Sequence, residues 1–158
     1  MNVLYGLPSQ NVASLATWTA TPEDSAYPAA NLVDLNPGKP SKLTATSGSW
    51  VGDFGATQRV DIVALWHHNF DAGLTVLWQG NDSDSWGSPA LSEAFVIPPL
   101  PADRYPRCPF LDISPLMQGS PAGYRYYRLS VPSANSAYLA IGDLWLASVA
   151  NDFSGALQ

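Results

Sequence analysis

At 158 residues the chain has the size of one domain and is long enough to bury a core without disulfides or metals. Hydrophobic residues make up 46% and charged residues 13%, with no block of like charge, which excludes a solvating or disordered chain. The formal charge is −6 and the seven basic residues do not cluster, so a phosphate backbone is an unfavourable partner and no nucleic acid is expected.

Fourteen Pro and twelve Gly cut the chain into short pieces, which suits many short strands and disfavours long helices. The expected class is all-β. Met1 to Gln10 shows no basic flank followed by an apolar run, and no apolar stretch reaches the ~20 residues that cross a bilayer. Neither secretion nor membrane insertion is therefore expected. Cys108 has no second Cys for an internal bridge and no metal-ligand spacing around it.

In chain order, Val12 to Thr19 reads as a first strand, ended by the turn-forming Thr21-Pro22-Glu23-Asp24-Ser25. Pro28 then opens a short helix near 28–34, which Asn36-Pro37-Gly38 stops. Leu43 to Thr46 and Trp50 to Phe54 are short extended runs. Arg59 to His68 is the clearest strand, with Val60, Ile62, Ala64 and Trp66 on one face, Val63 and Leu65 on the other, and both faces apolar enough for burial. Gly73 to Gly80 alternates in the same way, and the two strands can pair as a hairpin across Asn69-Phe70-Asp71-Ala72 or be routed apart.

Gly80 to Pro89 is polar and turn-rich, and Pro98 to Pro121 is Pro-rich with a weak apolar patch at Phe110 to Met117. Tyr124 to Val131 and Tyr138 to Ala147 supply a closing pair of strands. No fixed-period repeat is present, which excludes a solenoid or propeller.

Three segments in order carry a resemblance: Tyr27-Pro28-Ala29-Ala30-Asn31-Leu32-Val33-Asp34, Trp50-Val51-Gly52-Asp53-Phe54-Gly55, and Val60 to Leu65 running on to His68-Asn69. With Tyr124 to Leu129 and Ile141 to Leu146, they resemble the discoidin-like, galactose-binding-like jelly rolls. The likeness spans roughly residues 12 to 148. It implies one antiparallel β-sandwich domain over 1–158, with its core at about 12–148 and short extensions at either end. The absence of the Cys pair of animal discoidin domains fits assembly in a bacterial cytoplasm.

More narrowly, the compact Y-P-A-A-N-L-x-D segment, the L-W-x-H-N strand end and the I-G-x-L-W-L finish are similar to domains of tailed-bacteriophage tail proteins. That similarity implies a virion protein of the tail tip, baseplate or fibre region, present in several copies and packed against other tail proteins. Its expected contact elements are the segment Pro98 to Pro109 and the termini. The alternative is a carbohydrate-binding module that recognises a host surface glycan.

The residues offer no catalytic pattern. His67 and His68 are the only imidazole bases, neither lies in a nucleophile motif, and no G-x-S-x-G, H-E-x-x-H or phosphate-binding Gly loop is present, so no enzyme is expected. As neighbours at a strand end the two His point to opposite sides, one packed and one solvated.

For sugar binding, an exposed aromatic face needs hydroxyl-binding groups beside it. Trp86 is the candidate platform, with Asp82 and Asp84 in its loop, and jelly-roll loops can gather this loop at one end with His68, Asn69 and Asp71. No cofactor is expected apart from a structural calcium, for which Asn81, Asp82 and Asp84 concentrate side-chain oxygens; the same residues favour turns for local reasons.

Overall fold

The computed structural model describes residues 11–36, 38–99 and 122–148, and the backbone of 110–112. Cys108, most of the Pro-rich contact segment, the rest of the Phe110 to Met117 patch and both termini lie outside the described residues.

The chain does not begin as the strand expected over Val12 to Thr19. Val12–Leu15 is a 3-10 turn, and β1 (Thr17–Thr21) starts only after it. Asn11 is the cause, because its side-chain oxygen accepts from Ala13 N at 3.1 Å and draws the backbone into a turn despite the β-branched Val12. The second turn, Ala29–Val33, forms as expected, with Pro28 in extended backbone at its start.

The remaining strands are β2 (Ser41–Lys42), β3 (Gly48–Gln58), β4 (Ile62–Trp66), β5 (Thr75–Asn81), β6 (Leu91–Val96), β7 (Phe110–Asp112), β8 (Tyr124–Val131), β9 (Ala140–Ile141) and β10 (Asp143–Ala147). All pairings are antiparallel. They make a five-stranded sheet in the order β1-β3-β8-β5-β6, a three-stranded sheet in the order β10-β4-β7, and a small sheet of β2 and β9. The result is an antiparallel jelly-roll sandwich.

The long strand read over Arg59 to His68 and that over Gly73 to Gly80 do not form a hairpin. β4 lies in the three-stranded sheet and β5 in the five-stranded one, so the link between them crosses the sandwich. His67 has φ 53, a left-handed turn that stops β4 at Trp66. The closing pair, β8 and β10, is divided between the sheets in the same way. Leu43 makes only an isolated bridge to Glu23, so no strand runs from Leu43 to Thr46. Leu91–Val96, unmarked in the sequence reading, is the edge strand β6.

The core lies between the sheets. Trp18, Trp50, Trp78, Val76, Tyr127, Leu129 and Val131 face Val63, Leu65, Leu144 and Leu146. Each fully enclosed large side chain contributes on the order of 2–3 kcal/mol. Trp78 and Tyr127 stack at 5.3 Å between centroids and 15° between planes. The Trp50 indole donates to Ser41 Oγ at 2.8 Å, and the Trp18 indole to Ala13 O at 2.9 Å, so two of the three buried indoles have acceptors.

β10 is the outer strand of its sheet, and an open edge leaves backbone groups unpaired. Asn11, only 7% exposed, closes this one: its amide donates to Leu144 O at 3.0 Å and its oxygen accepts from Leu146 N at 2.9 Å. Replacing it leaves a buried donor and acceptor unsatisfied. The expected result for Asn11→Ala is a loss of about 2–4 kcal/mol in urea unfolding with far-UV dichroism unchanged; a loss within error of zero would show that the edge is satisfied otherwise.

Candidate functional site

Register decides which loops meet. At one end of β5, Thr75 pairs with Val96 and Leu77 with Ser130; at the other, Gly80 pairs with Leu91 and Asn81 with Tyr126. The segment 67–74 therefore lies with the residues that follow β8, and the loop 82–90 lies with the start of β8. A seven-residue strand spans roughly 20 Å, so His68, Asn69 and Asp71 stand at one end of the sandwich and Asp82, Asp84 and Trp86 at the other. The single gathered site expected from the sequence does not form.

At the first end, hydrogen bonds occupy the expected ligand groups. Asn69 Nδ2 donates to Tyr138 O at 2.6 Å and Asn69 Oδ1 accepts from Ala140 N at 2.8 Å. The Asp71 carboxylate accepts from Ser136 N at 2.5 Å and from Ser136 Oγ at 2.8 Å. Buried Asn135 completes the frame: it accepts from Asp71 N at 2.8 Å, donates to Asn69 O at 3.2 Å, and its own N–H reaches Thr46 O at 2.8 Å. Asn69, Asp71 and Asn135 together thus fasten three loops.

The His pair divides much as its spacing implies. His68 is half-buried, accepts from Phe70 N at 3.1 Å through Nδ1, and lies against the Phe70 ring at 5.0 Å. His67 is exposed, with Nδ1 3.3 Å from Asp143 Oδ2. No hydroxyl among the described residues hydrogen-bonds His67.

Three residues missed in the sequence reading complete this end. Lys42 Nζ stands 3.4 Å from the centroid of the Tyr27 ring and 5.1 Å from that of Tyr138, which is 49% exposed. They meet because Lys42 pairs with Ala140 across the two-residue strands β2 and β9, and Lys42 N donates to Tyr27 O at 3.0 Å. A pairing this short leaves no periodic signal; Tyr27, heading the Y-P-A-A-N-L segment, and Tyr138, heading the closing strand, were read only as parts of the fold. Tyr138 offers an apolar ring face and Lys42 an ammonium donor at its side.

At the second end the loop folds on itself. Asn81 Nδ2 donates to Ser85 O at 2.6 Å, Asp82 N to Asn81 Oδ1 at 3.0 Å, and Ser85 N to Ser83 O at 2.7 Å. Half-buried Trp86 donates from Nε1 to Asp84 Oδ1 at 2.7 Å, and the Arg128 guanidinium lies 4.7 Å from its ring centroid. Of the calcium candidates, Asn81 Oδ1 and Asp84 Oδ1 are thus engaged in the loop itself. Among the described residues no group of three or more His, Cys, Asp or Glu stands close enough to share an ion.

On the same solvent-facing side of the sheet, Arg125 grips the Asp53 carboxylate at 2.8 and 2.9 Å. Those bonds, with a further one from Gly55 N, lower the Asp53 pKa from the ordinary 3.8 to about 2. A carboxyl depressed in the folded state stabilises it above the unfolded pKa, and that contribution fades as pH falls from about 4 to about 2. The pair is exposed, so the contribution is small. Carboxyl-detected NMR titration is expected to place Asp53 near 2 and Arg125→Gln to return it toward 3.8; an unmoved midpoint would refute the assigned cause.

No protein-family model matches the chain, and no curated protein matches it by sequence. Solved structures match it in fold. The lectin domain of lectinolysin complexed with Lewis B antigen aligns with a TM-score of 0.65 at 13% identity, over 91% of this chain and 100% of that one. Chitosan-binding module 1 of the chitosanase/glucanase from Paenibacillus sp. IK-5 aligns with a TM-score of 0.61 at 16% identity, over 87% and 98%. The family 32 carbohydrate-binding module of C. perfringens NanJ in complex with galactose gives 0.61 at 12%, over 86% and 96%. The fold is a galactose-binding-like jelly roll, as the motif resemblance implied. The named proteins are binding modules and lectins, and they lend no support to the narrower likeness to phage tail proteins.

Proposed function

We propose that the chain is a non-catalytic carbohydrate-binding domain that takes a glycan at the end of the sandwich formed by Tyr27, Lys42 and Tyr138. One observation carries the reading: an ammonium held between two tyrosine rings, one of them open to solvent, on a frame whose own polar groups are already satisfied. An exposed ring stacks on the apolar side of a pyranose, and the adjacent Nζ donates to its hydroxyls. Because Asn69, Asp71 and Asn135 fix the loops beforehand, binding orders little and loses little entropy. The named neighbours, crystallised with Lewis B antigen and with galactose, support a sugar as the ligand class.

The phage-tail setting is a separate proposal about where such a domain is mounted. It rests on the motif resemblance alone, with other tail proteins as partners and the virion as location. Mass spectrometry of purified particles tests it, since a virion component must be found there.

For the glycan reading, glycan-array screening followed by calorimetry is the test. Tyr138→Ala is expected to weaken binding about tenfold or more, equivalent to ~1.4 kcal/mol, with the thermal midpoint unchanged. Lys42→Ala should weaken it in the same direction. A bound glycan whose affinity ignores both substitutions would place the site elsewhere.

A further inference from the structure

We infer that the domain carries a second saccharide site, on the solvent-facing side of the five-stranded sheet at its opposite end, with Trp86 as platform and Arg128 and Asp84 as the hydroxyl-binding pair. The inference rests on the glycan reading for its ligand class, and its geometry is independent of Tyr138.

The first ground is a ring held in place before any ligand arrives. Trp86 is fixed at its Nε1 by Asp84 and on its ring by the Arg128 guanidinium; among the described residues no other ring or cation stacks on it. A loop tryptophan locked by two polar partners gives up little freedom on binding.

The second ground is Arg128 itself. Of the described arginines, Arg59 is paired with Asp61 and Arg125 with Asp53, each at hydrogen-bonding distance. Among the described residues Arg128 has no carboxylate within ion-pair distance, and its one hydrogen bond runs from Nε to Gln79 Oε1 at 2.8 Å. Gln79 sits on the outer side of the sheet yet is 5% exposed, and it donates onward to Ser92 Oγ at 3.1 Å, so the guanidinium rests on a satisfied base. Burial lowers the Arg128 pKa, and the Asp84 charge opposes that shift. A half-buried guanidinium whose terminal nitrogens have no hydrogen-bond partner among the described residues is a site for incoming acceptor oxygens.

Donor and acceptor stand together here. The Arg128 terminal nitrogens donate, and Asp84 Oδ2, which has no described partner, accepts; a vicinal diol requires both. The carboxylates of Asp82 and Asp84 at the rim disfavour an anionic sugar, so the ligand class is a neutral saccharide. The approach is open, because Ser92 and Ala94 on the adjoining outer side of β6 are exposed. Two sites roughly 20 Å apart let one domain hold two sugars of a dense glycan surface, and avidity then exceeds either single affinity.

The test is NMR titration and calorimetry on the full chain with two neutral probes, galactose and a fucosylated Lewis-type oligosaccharide. Saturable shifts of the Trp86 indole and Arg128 Nε–H resonances are expected, with a stoichiometry of two that falls to one in Trp86→Ala and to one in Tyr138→Ala. Arg128→Gln, which keeps a side chain on Gln79, should weaken only the Trp86 site, and circular dichroism checks that each variant is folded. A stoichiometry of one that disappears in Tyr138→Ala and is untouched by Trp86→Ala overturns the second site while leaving the first. Saturable Trp86 shifts that persist in Tyr138→Ala, with no loss of binding there, uphold the second site while overturning the first. Absence of binding to every probe overturns both.

Discussion

Trp18, Trp50, Trp78 and Tyr127 crowd the inner side of the five-stranded sheet, and they fit there because two glycines oppose them. A Cβ on Gly80 would lie 2.6 Å from the Tyr124 ring and 3.1 Å from that of Tyr127, and one on Gly52 would lie 2.9 Å from the Trp18 ring. Real Cβ atoms essentially never come within 3.0 Å of a neighbour, so the Tyr124 and Trp18 rings and these bare positions in β5 and β3 require one another. Tyr127 then reaches past the irregularity in β3: its hydroxyl donates to Gln58 O at 2.8 Å and accepts from Tyr124 N at 3.2 Å. Burial raises its pKa, which keeps it a neutral donor. With these rings stacked between the sheets, ligand chemistry falls to the ends and outer sides.

The same pleat explains what the sequence revealed. β4 shows as an apolar run buried on both faces, β8 shows the inner-side period of a half-buried strand, and Pro28 with Asn36-Pro37-Gly38 brackets the short turn. Val12–Leu15 was misread because its structure depends on Asn11, whose partners Leu144 and Leu146 lie more than 130 residues away. β6 escaped notice because Glu93, opposite Trp78 at the edge of the sheet, interrupts the apolar alternation. Of the two routes the sequence left open for β4 and β5, the structure takes the one that parts them between the sheets, with β4 ended by the left-handed His67.

The candidate site was legible in residue types and illegible in roles. Asn69 and Asp71 were rightly marked as polar groups at a strand end, yet both are occupied in joining loops, and that occupation is visible only when Ser136, Tyr138 and Ala140 are seen beside them. Trp86 was legible because a tryptophan in a loop of Asp and Ser stands out. Its distance from His68 was not, because β5 must be placed before its two ends can be told apart. Lys42 and Tyr138 gave no signal as ligand groups, since two-residue strands are too short for a period to show.

Hydrogen-bond accounting separates frame residues from the proposed ligand groups at both ends. A group that binds must keep unused capacity, and one that shapes a loop must not. Asn69, Asp71 and Asn135 at one end, and Asn81 and Arg125 at the other, hold partners that fix backbone or pair charge. Tyr138, Lys42, Trp86 and the terminal nitrogens of Arg128 retain faces or donors pointing away from such bonds. The two sets differ in consequence as well as in geometry. Loss of a frame residue is expected to release loops and lower stability, whereas the Tyr138 ring, 49% exposed, lies outside the buried core. On the proposed reading, loss of binding without loss of stability marks a recognition surface added to a self-sufficient core, and the full inner layer of this sandwich allows that separation.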